Sequence, residues 1–177
     1  MLFRSQARFV DDHTLAVAGH TRVESKSIVI ATGSRADFPD SFRDLGDRLI
    51  ISDDVFDWTD LPKAVAVIGP GIIGLELGQA LHRLGVQVAV LGRGGRVGPI
   101  SDPQIRAYAL ATFSEEFTLE PDAQIAHMRR HGERVAIGRA QPHGSSEIEY
   151  FDYVLAATGR TPNIKRNYIL DTTTSAD

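Results

Sequence analysis

The stretch that decides the fold is Ala64-Val-Ala-Val-Ile-Gly-Pro-Gly-Ile-Ile-Gly-Leu-Glu76, followed by a helical run and then Val86-Gln-Val-Ala-Val-Leu91. It reads as an apolar strand, a Gly-x-Gly-x-x-Gly turn, an amphipathic helix and a second apolar strand. This order is the βαβ dinucleotide fingerprint. Val65, Val67 and Ile68 suit a strand buried on both faces. Gly69 permits the tight turn, Gly71 lets the backbone approach a pyrophosphate, and Gly74 lets the helix lie close to the strand. The helix N-terminus then presents unpaired N–H groups and a partial positive charge to the phosphates. Ile73, Leu77, Ala80, Leu81 and Leu84 recur at helical spacing and are expected to face the sheet. Gly85 stands where a helix C′ residue belongs.

Outward from this unit, the totals set bounds. A chain of 177 residues holds one domain, or one and a piece of another. The net charge of −4 gives no reason to expect nucleic acid or an anionic membrane as partner. No apolar run approaches the roughly 20 residues of a membrane span, and Met-Leu-Phe-Arg-Ser-Gln at the start lacks the form of a signal peptide. A cytoplasmic location is the default expectation. There is no cysteine, which excludes disulfides, thiol nucleophiles and cysteine metal sites within the chain. The six histidines show no metal spacing; His127 and His131, four apart, fall on a strand and turn. No metal site is expected.

Before the central unit, Ala7-Arg-Phe-Val and Thr14-Leu-Ala-Val read as hairpin strands, and Ile28 to Ala31 as one very apolar strand. Residues 34–61 form a connection in which Ser52-Asp-Asp-Val-Phe starts a short helix with Ser52 as N-cap. After Leu91, the run Gly92-Arg-Gly-Gly-Arg-Val-Gly-Pro is a loop. Ser101-Asp-Pro opens a second helix that ends near Glu116, with Ile105, Ala109, Thr112 and Phe113 as its apolar stripe. Phe117–Leu119 is a further strand. Three alternating runs, from Gln124, Arg134 and Glu147, make an antiparallel meander. Tyr153-Val-Leu-Ala-Ala-Thr-Gly is another buried strand closed by glycine, echoing Ile28-Val-Ile-Ala-Thr-Gly. The tail Thr172–Asp177 is expected to be loose.

The chain resembles the flavin-dependent pyridine nucleotide–disulfide oxidoreductases, most closely the dihydrolipoamide dehydrogenase branch, with glutathione reductase further off. The resemblance is carried by Ser27-Ile-Val-Ile-Ala-Thr-Gly-Ser-Arg, Ser52-Asp-Asp, Leu61-Pro, Gly69-Pro-Gly-Ile-Ile-Gly-Leu-Glu with Gly85, and Ala156-Ala-Thr-Gly-Arg-Thr-Pro-Asn. It implies an α/β fold. A Rossmann-like parallel sheet with a three-stranded antiparallel meander is joined to a β-rich stub of an FAD domain. The implied organisation is a partial FAD-domain segment over 1–33, a connection over 34–61, an NAD(P)-binding domain over 62–160, and an exit segment over 161–177. The remaining FAD segments, the redox cysteine pair and the dimerisation domain of such enzymes are not in this sequence. The fragment alone is therefore expected to be inactive, and the strands of 1–33 to self-associate through unpaired edges.

The implied cofactor is NAD or NADP, with FAD only in the full-length parent. Gly69, Pro70, Gly71, Ile72, Ile73 and Gly74 are expected to hold the pyrophosphate. The resemblance implies that Glu76 lies beside the nicotinamide and flavin, that Ile125 meets the adenine through its backbone, and that Ala157, Thr158, Gly159 and Arg160 pass close to the nicotinamide half. An acid at the end of the second strand would bind both ribose hydroxyls and repel a 2′-phosphate. Here Gly92 and Arg93 stand there, which favours tolerance of NADP. A second arginine of the glutathione reductase pattern is replaced by Pro99, with Arg96 nearby. Three functions fit these residues. One is the nucleotide domain of a dihydrolipoamide dehydrogenase-like enzyme. The others are an NADPH-dependent reductase of the glutathione reductase type and a non-catalytic dinucleotide-binding module.

Overall fold

The computed structural model describes residues 5–140 and 146–164. The chain divides into two compact units, one of residues 1–35 with 161–177 and one of residues 36–160. The tail from Thr172 and the exit segment beyond Ile164 lie outside the described residues.

In the first unit, β1 (Ala7–Phe9), β2 (Thr14–Val17) and β3 (Thr21–Glu24) form a three-stranded antiparallel sheet in that order. Ala18 and Gly19 both take positive φ, 54° and 76°, in the β2–β3 connection. β3 has one apolar residue, Val23, and its pattern alone did not announce it. Ile28–Ala31 is not a strand. A strand exists by its ladder, and no described strand pairs with these residues. Val29 is 86% exposed. Apolarity of the run had indicated burial, and pairing does not follow from it. β4 (Ser34–Ala36) pairs with a late strand, β13, described below. Thr32 and Gly33 are fastened to Asn163: Thr32 Oγ1 donates to the Asn163 carbonyl at 3.0 Å, and Asn163 N–H donates to the Gly33 carbonyl at 2.9 Å.

The second unit is built on a five-stranded parallel sheet. Its elements are β5 (Leu49–Ile50), β6 (Ala64–Ile68), α1 (Ile72–Arg83), β7 (Gln87–Leu91), α2 (Pro103–Glu116) and β8 (Thr118–Glu120). Then come β9 (Ile125–His131), β10 (Arg134–Ala140), β11 (Ser146–Phe151) and β12 (Tyr153–Ala156), and the chain leaves the unit at the first residue of β13 (Arg160–Pro162). The parallel order is β5-β12-β6-β7-β8, and β11-β10-β9 form the antiparallel meander. The stretch read as a connection supplies the edge strand β5 and two 3-10 segments, Asp40–Arg48 and Asp54–Asp57. Ser52 does not cap the second of these. Its hydroxyl donates to Asp53, and the Ile51 N–H is taken by the Asp54 carboxylate at 2.8 Å.

Alternation along β6 sends its side chains to two cores. Val65 and Val67 join Val88, Val90, Leu75 and Leu81 on the helix side. Ala64, Ala66 and Ile68 join Leu91, Leu45, Val135, Ile137 and Phe151 on the meander side. The sheet is thus covered on both faces, which is why its central strands are continuously apolar.

The buried face of α1 is Gly74, Leu75, Gly78 and Leu81; of the expected stripe Leu81 is buried and Leu77 packs on the core, whereas Ala80 and Leu84 are exposed, Leu84 to 63%. Glycine carries no hydrophobic weight in a periodicity count, yet two glycines define the face because they bring the helix axis close to the sheet. A Cβ at Gly78 would stand 2.8 Å from Val90 Cγ2. The helix ends in a Schellman arrangement: Gly85 has φ 93°, its N–H reaches the His82 carbonyl at 2.9 Å, and Val86 N–H reaches the Leu81 carbonyl at 3.1 Å. α2 starts at Pro103 with Asp102 as N-cap, its carboxylate accepting from Gln104 N at 2.8 Å and Ile105 N at 3.0 Å. Its expected stripe is only partly used. Ala109 and Phe113 pack on the core with Leu110, while Ile105 is exposed. Glu116 ties the helices together, taking two hydrogen bonds from Arg83 at 2.9 Å and one from Gln79 at 2.8 Å.

Candidate functional site

The carboxyl ends of β6, β7 and β12 converge on a cleft of about 800 Å³. Open α/β sheets place their ligand crevice at this end. Its floor is Ile68, Gly69, Leu91 and Gly92 from the parallel strands, with Thr158 following β12. One wall is Pro39, Ser41 and Phe42 from the first 3-10 segment, and another is Ala123 to Ile125 with His127 and Met128 from the meander. Arg93 stands at the rim, exposed.

The glycine turn is built by close packing. Gly69 has φ 115°, its N–H donates to the Leu91 carbonyl at 2.8 Å, and a Cβ there would run into the Ala157 carbonyl. A Cβ on Gly74 would run into the Gly69 carbonyl and Ala157 Cβ. The first and third glycines are therefore structural requirements of the turn itself. Gly71 differs: nothing lies within 4 Å of a Cβ built on it. Gly71 is also the N-cap of α1, with φ −77° and ψ −174°, and offers no side-chain cap. The first helical hydrogen bond runs from Leu75 N–H to the Gly71 carbonyl at 3.0 Å. The donors before Leu75, on Ile72, Ile73 and Gly74, are those a helix start leaves for an anion.

Five of the residues proposed from sequence line the cleft directly: Gly69, Gly92, Arg93, Ile125 and Thr158. Pro70 packs its ring on Gly92. Glu76 is exposed on α1 and is not among the cleft residues. Thr158 Oγ1 donates to the Asp37 carbonyl at 2.6 Å, and Asp37 N–H donates to the Gly159 carbonyl at 3.0 Å, so this loop is pinned to the chain entering the first 3-10 segment. Arg160 reaches the Ser52 hydroxyl at 3.2 Å and the Asp53 carboxylate at 4.0 Å. Ala157 meets Gly69 and Gly74, a packing role. Sequence reasoning missed Pro39, Ser41, Phe42, His127 and Met128, which only tertiary folding brings to the cleft. His127 covers Gly138, where a Cβ would collide with its ring.

The electrostatics around the cleft separate a neutralised cation from open ones. Arg139, 5% exposed, pairs with Glu120, with Glu149 at 2.8 Å and with Glu147 at 3.8 Å. Burial alone would lower its pKa, but the hydrogen bond it donates to Glu120 and the three carboxylate charges outweigh it and hold the guanidinium above its ordinary value. Among the described residues no carboxylate pairs with Arg93 or Arg96. His127 and His131 both lie on β9, about 13 Å apart by strand rise. No group of three or more His, Asp or Glu among the described residues is placed to hold a metal. No helix among them is long and apolar enough to cross a membrane.

Comparison with known proteins agrees with this fold. The family model for pyridine nucleotide-disulphide oxidoreductases matches residues 2–173. A mercuric reductase of Staphylococcus aureus is 32% identical over 163 residues, covering 92% of this chain and 29% of the relative. Dihydrolipoyl dehydrogenase 3 of Pseudomonas aeruginosa is 36% identical over 152 residues, covering 84% of this chain and 32% of the relative. In structure, the HOCl-induced flavoprotein disulfide reductase RclA of Escherichia coli superposes with a TM-score of 0.70 at 21% identity, over 93% of this chain and 37% of RclA. That likeness bears on the fold. The chain spans about 30% of the length of the curated relatives it matches. The chain belongs to the pyridine nucleotide-disulphide oxidoreductase family.

Proposed function

We propose that this chain is the nicotinamide-dinucleotide domain of a flavin-dependent disulfide oxidoreductase of the dihydrolipoamide dehydrogenase kind, and that it positions the nicotinamide of NAD or NADP for electron exchange with FAD. The observation that carries the reading is the glycine turn. Gly69 and Gly74 are glycines because the protein fills their Cβ space, whereas Gly71 is a glycine with open space before it. A missing side chain with open space before it and an uncapped helix start suit a bound pyrophosphate.

In this proposal the N–H groups at the start of α1 hold the pyrophosphate, Gly92 and Arg93 meet the adenosine ribose, and Ile125 borders the adenine. Ala157 to Arg160 guide the chain past the nicotinamide half, with Thr158 and Gly159 fixed by their bonds to Asp37. Glu76, on the exposed side of α1, is the side chain that the family resemblance sets nearest the nicotinamide and flavin. The nicotinamide and flavin supply the two-electron chemistry when bound; this chain contributes binding and orientation. With no cysteine, it takes no part in a thiol–disulfide step on its own.

The exposed Arg93, with no carboxylate partner among the described residues and a glycine beside it, favours the NADPH-dependent variant of the same reading, since an Arg–phosphate contact contributes about 1.5–3 kcal/mol. The test is a paired titration with NADH and NADPH, following nicotinamide fluorescence at one fixed salt concentration. Binding of either supports a dinucleotide domain, and a preference for NADPH that Arg93→Ala removes supports the NADPH variant. Binding of neither refutes the reading.

A further inference from the structure

We propose that Pro70 determines which dinucleotide the cleft accepts, by denying position 92 a side chain; the proposal rests on the dinucleotide reading of the cleft. Gly92 follows the last residue of β7, the position from which a carboxylate would take both hydroxyls of the adenosine ribose. A Cβ at Gly92 would stand 2.5 Å from both Cγ and Cδ of Pro70 and 2.8 Å from the Pro121 carbonyl oxygen. Gly92 does not have the left-handed backbone that would by itself call for glycine. The requirement there is one of space. The atoms that occupy the space belong to a rigid ring, which has no rotamer by which to withdraw.

Neither partner is free to retreat. Gly92 N–H donates to the Glu120 carbonyl at 2.8 Å, and its carbonyl accepts from Ala123 N–H at 3.0 Å. On the other side, the Pro70 carbonyl accepts from Gly98 N–H at 2.7 Å, and Gly69 N–H is held by the Leu91 carbonyl at 2.8 Å. The loop between is fastened as well: Gly94 N–H donates to the Asp122 carboxylate at 2.7 Å and Gly95 N–H to the Pro121 carbonyl at 3.0 Å. The residue between the first and second glycines of the turn is left open by the fingerprint, so Pro70 is not demanded by the turn. Its effect falls across the gap, on the strand that reads the ribose. With Pro70 in place no acid stands at position 92, a 2′-phosphate meets no carboxylate there, and the side chain that follows is Arg93.

The test is a double-mutant cycle on the full chain with Pro70→Ala, Gly92→Glu and the pair, read in two ways: melting temperature without ligand, and dissociation constants for NADH and NADPH at one salt concentration. Pro70→Ala removes the two nearest of the three atoms that obstruct position 92, leaving the Pro121 carbonyl oxygen in place. Gly92→Glu alone is expected to lower the melting temperature and weaken both nucleotides by a similar factor. In the Pro70→Ala background, where only the Pro121 carbonyl still crowds the position, it is expected to recover part of the lost melting temperature and to move the NADH-to-NADPH preference at least tenfold toward NADH. If Gly92→Glu does not fold, Gly92→Ala with and without Pro70→Ala reports the same steric coupling through melting temperature. Equal melting losses in both backgrounds would overturn the proposal, and so would a single Gly92→Glu variant that already shifts preference. A wild-type chain that binds neither nucleotide overturns the dinucleotide reading, and the specificity proposal with it, while the ligand-free cycle still reports on the Pro70–Gly92 contact separately.

Discussion

Two glycines of α1 allow fold and binding to be perturbed one at a time. Gly78 faces the sheet, and a Cβ there would stand 2.8 Å from Val90 Cγ2 in the fully buried core. An ordinary carbon–carbon contact is about 3.5–4.0 Å, so Gly78→Ala asks the helix or β7 to move by about 1 Å. Overpacking of this kind costs about 1–3 kcal/mol, and the better helix propensity of alanine returns about 1 kcal/mol. The net loss is up to about 2 kcal/mol, a fall in melting temperature of up to about 8 °C. Gly71 has no neighbour within 4 Å of its Cβ position and a φ of −77° that alanine adopts freely. Gly71→Ala loses about 0.5–1 kcal/mol of N-cap preference and regains about 0.4–1 kcal/mol from a stiffer unfolded chain, leaving stability within about 0.5 kcal/mol of wild type. Its methyl, however, stands where the pyrophosphate should lie, and loss of one charge-assisted hydrogen bond at about 1.5–3 kcal/mol weakens binding tenfold or more. Thermal melts and nicotinamide fluorescence titrations on both variants check the pair. A Gly71→Ala chain that is folded and binds within twofold of wild type would refute the assignment of the turn as the pyrophosphate site.

Arg139→Leu should destabilise the second unit by about 3 kcal/mol, because Glu120, Glu147 and Glu149 lose a shared buried partner; urea denaturation measures it. The Arg83 guanidinium beside Glu116, aided by Gln79, holds that carboxyl below the usual carboxylate range. A folded-state pKa below the unfolded one means stability that is present above the unfolded pKa and lost as pH falls through the folded value. Melting temperature followed from pH 6 down to pH 3 should therefore drop less steeply in Glu116→Gln than in wild type. The exposed Val29 and Ile30 should drive concentration-dependent self-association in sedimentation velocity, reduced by Val29→Asp; a monodisperse monomer at high concentration would contradict this.

The unit from Ala64 to Leu91 was legible in the sequence because its signals are local. Strand apolarity, the glycine spacing, Gly85 and Asp102-Pro103 each report on neighbours a few residues away. β5 was not legible, since two residues, Leu49 and Ile50, become a strand only through pairing with Val154 and Leu155 a hundred residues later. Ile28–Ala31 failed in the opposite sense, an apolar run without a partner strand among the described residues. The inward face of α1 was read only in part, Leu77 and Leu81 but not Gly74 and Gly78, because glycine packing has no hydrophobic signature. In the cleft, the absence of an acid at Gly92 could be read from the sequence, but its physical reason, the Pro70 ring and the Pro121 carbonyl, required coordinates. Phe42, His127 and Met128 carried no local signal of any kind, because they reach the cleft from a 3-10 segment and a meander that fold onto it.

The central claim is that the start of α1 and the end of β7 together form the dinucleotide site. Backbone amide chemical shifts of the labelled chain, followed by NMR during addition of NADPH, test it most directly. The largest changes are predicted at Gly71, Ile72, Ile73 and Gly92, with smaller ones at Ile125 and Thr158, and Gly71→Ala should abolish them. Saturating shifts confined to other residues, or none at millimolar nucleotide in a folded chain, would contradict it.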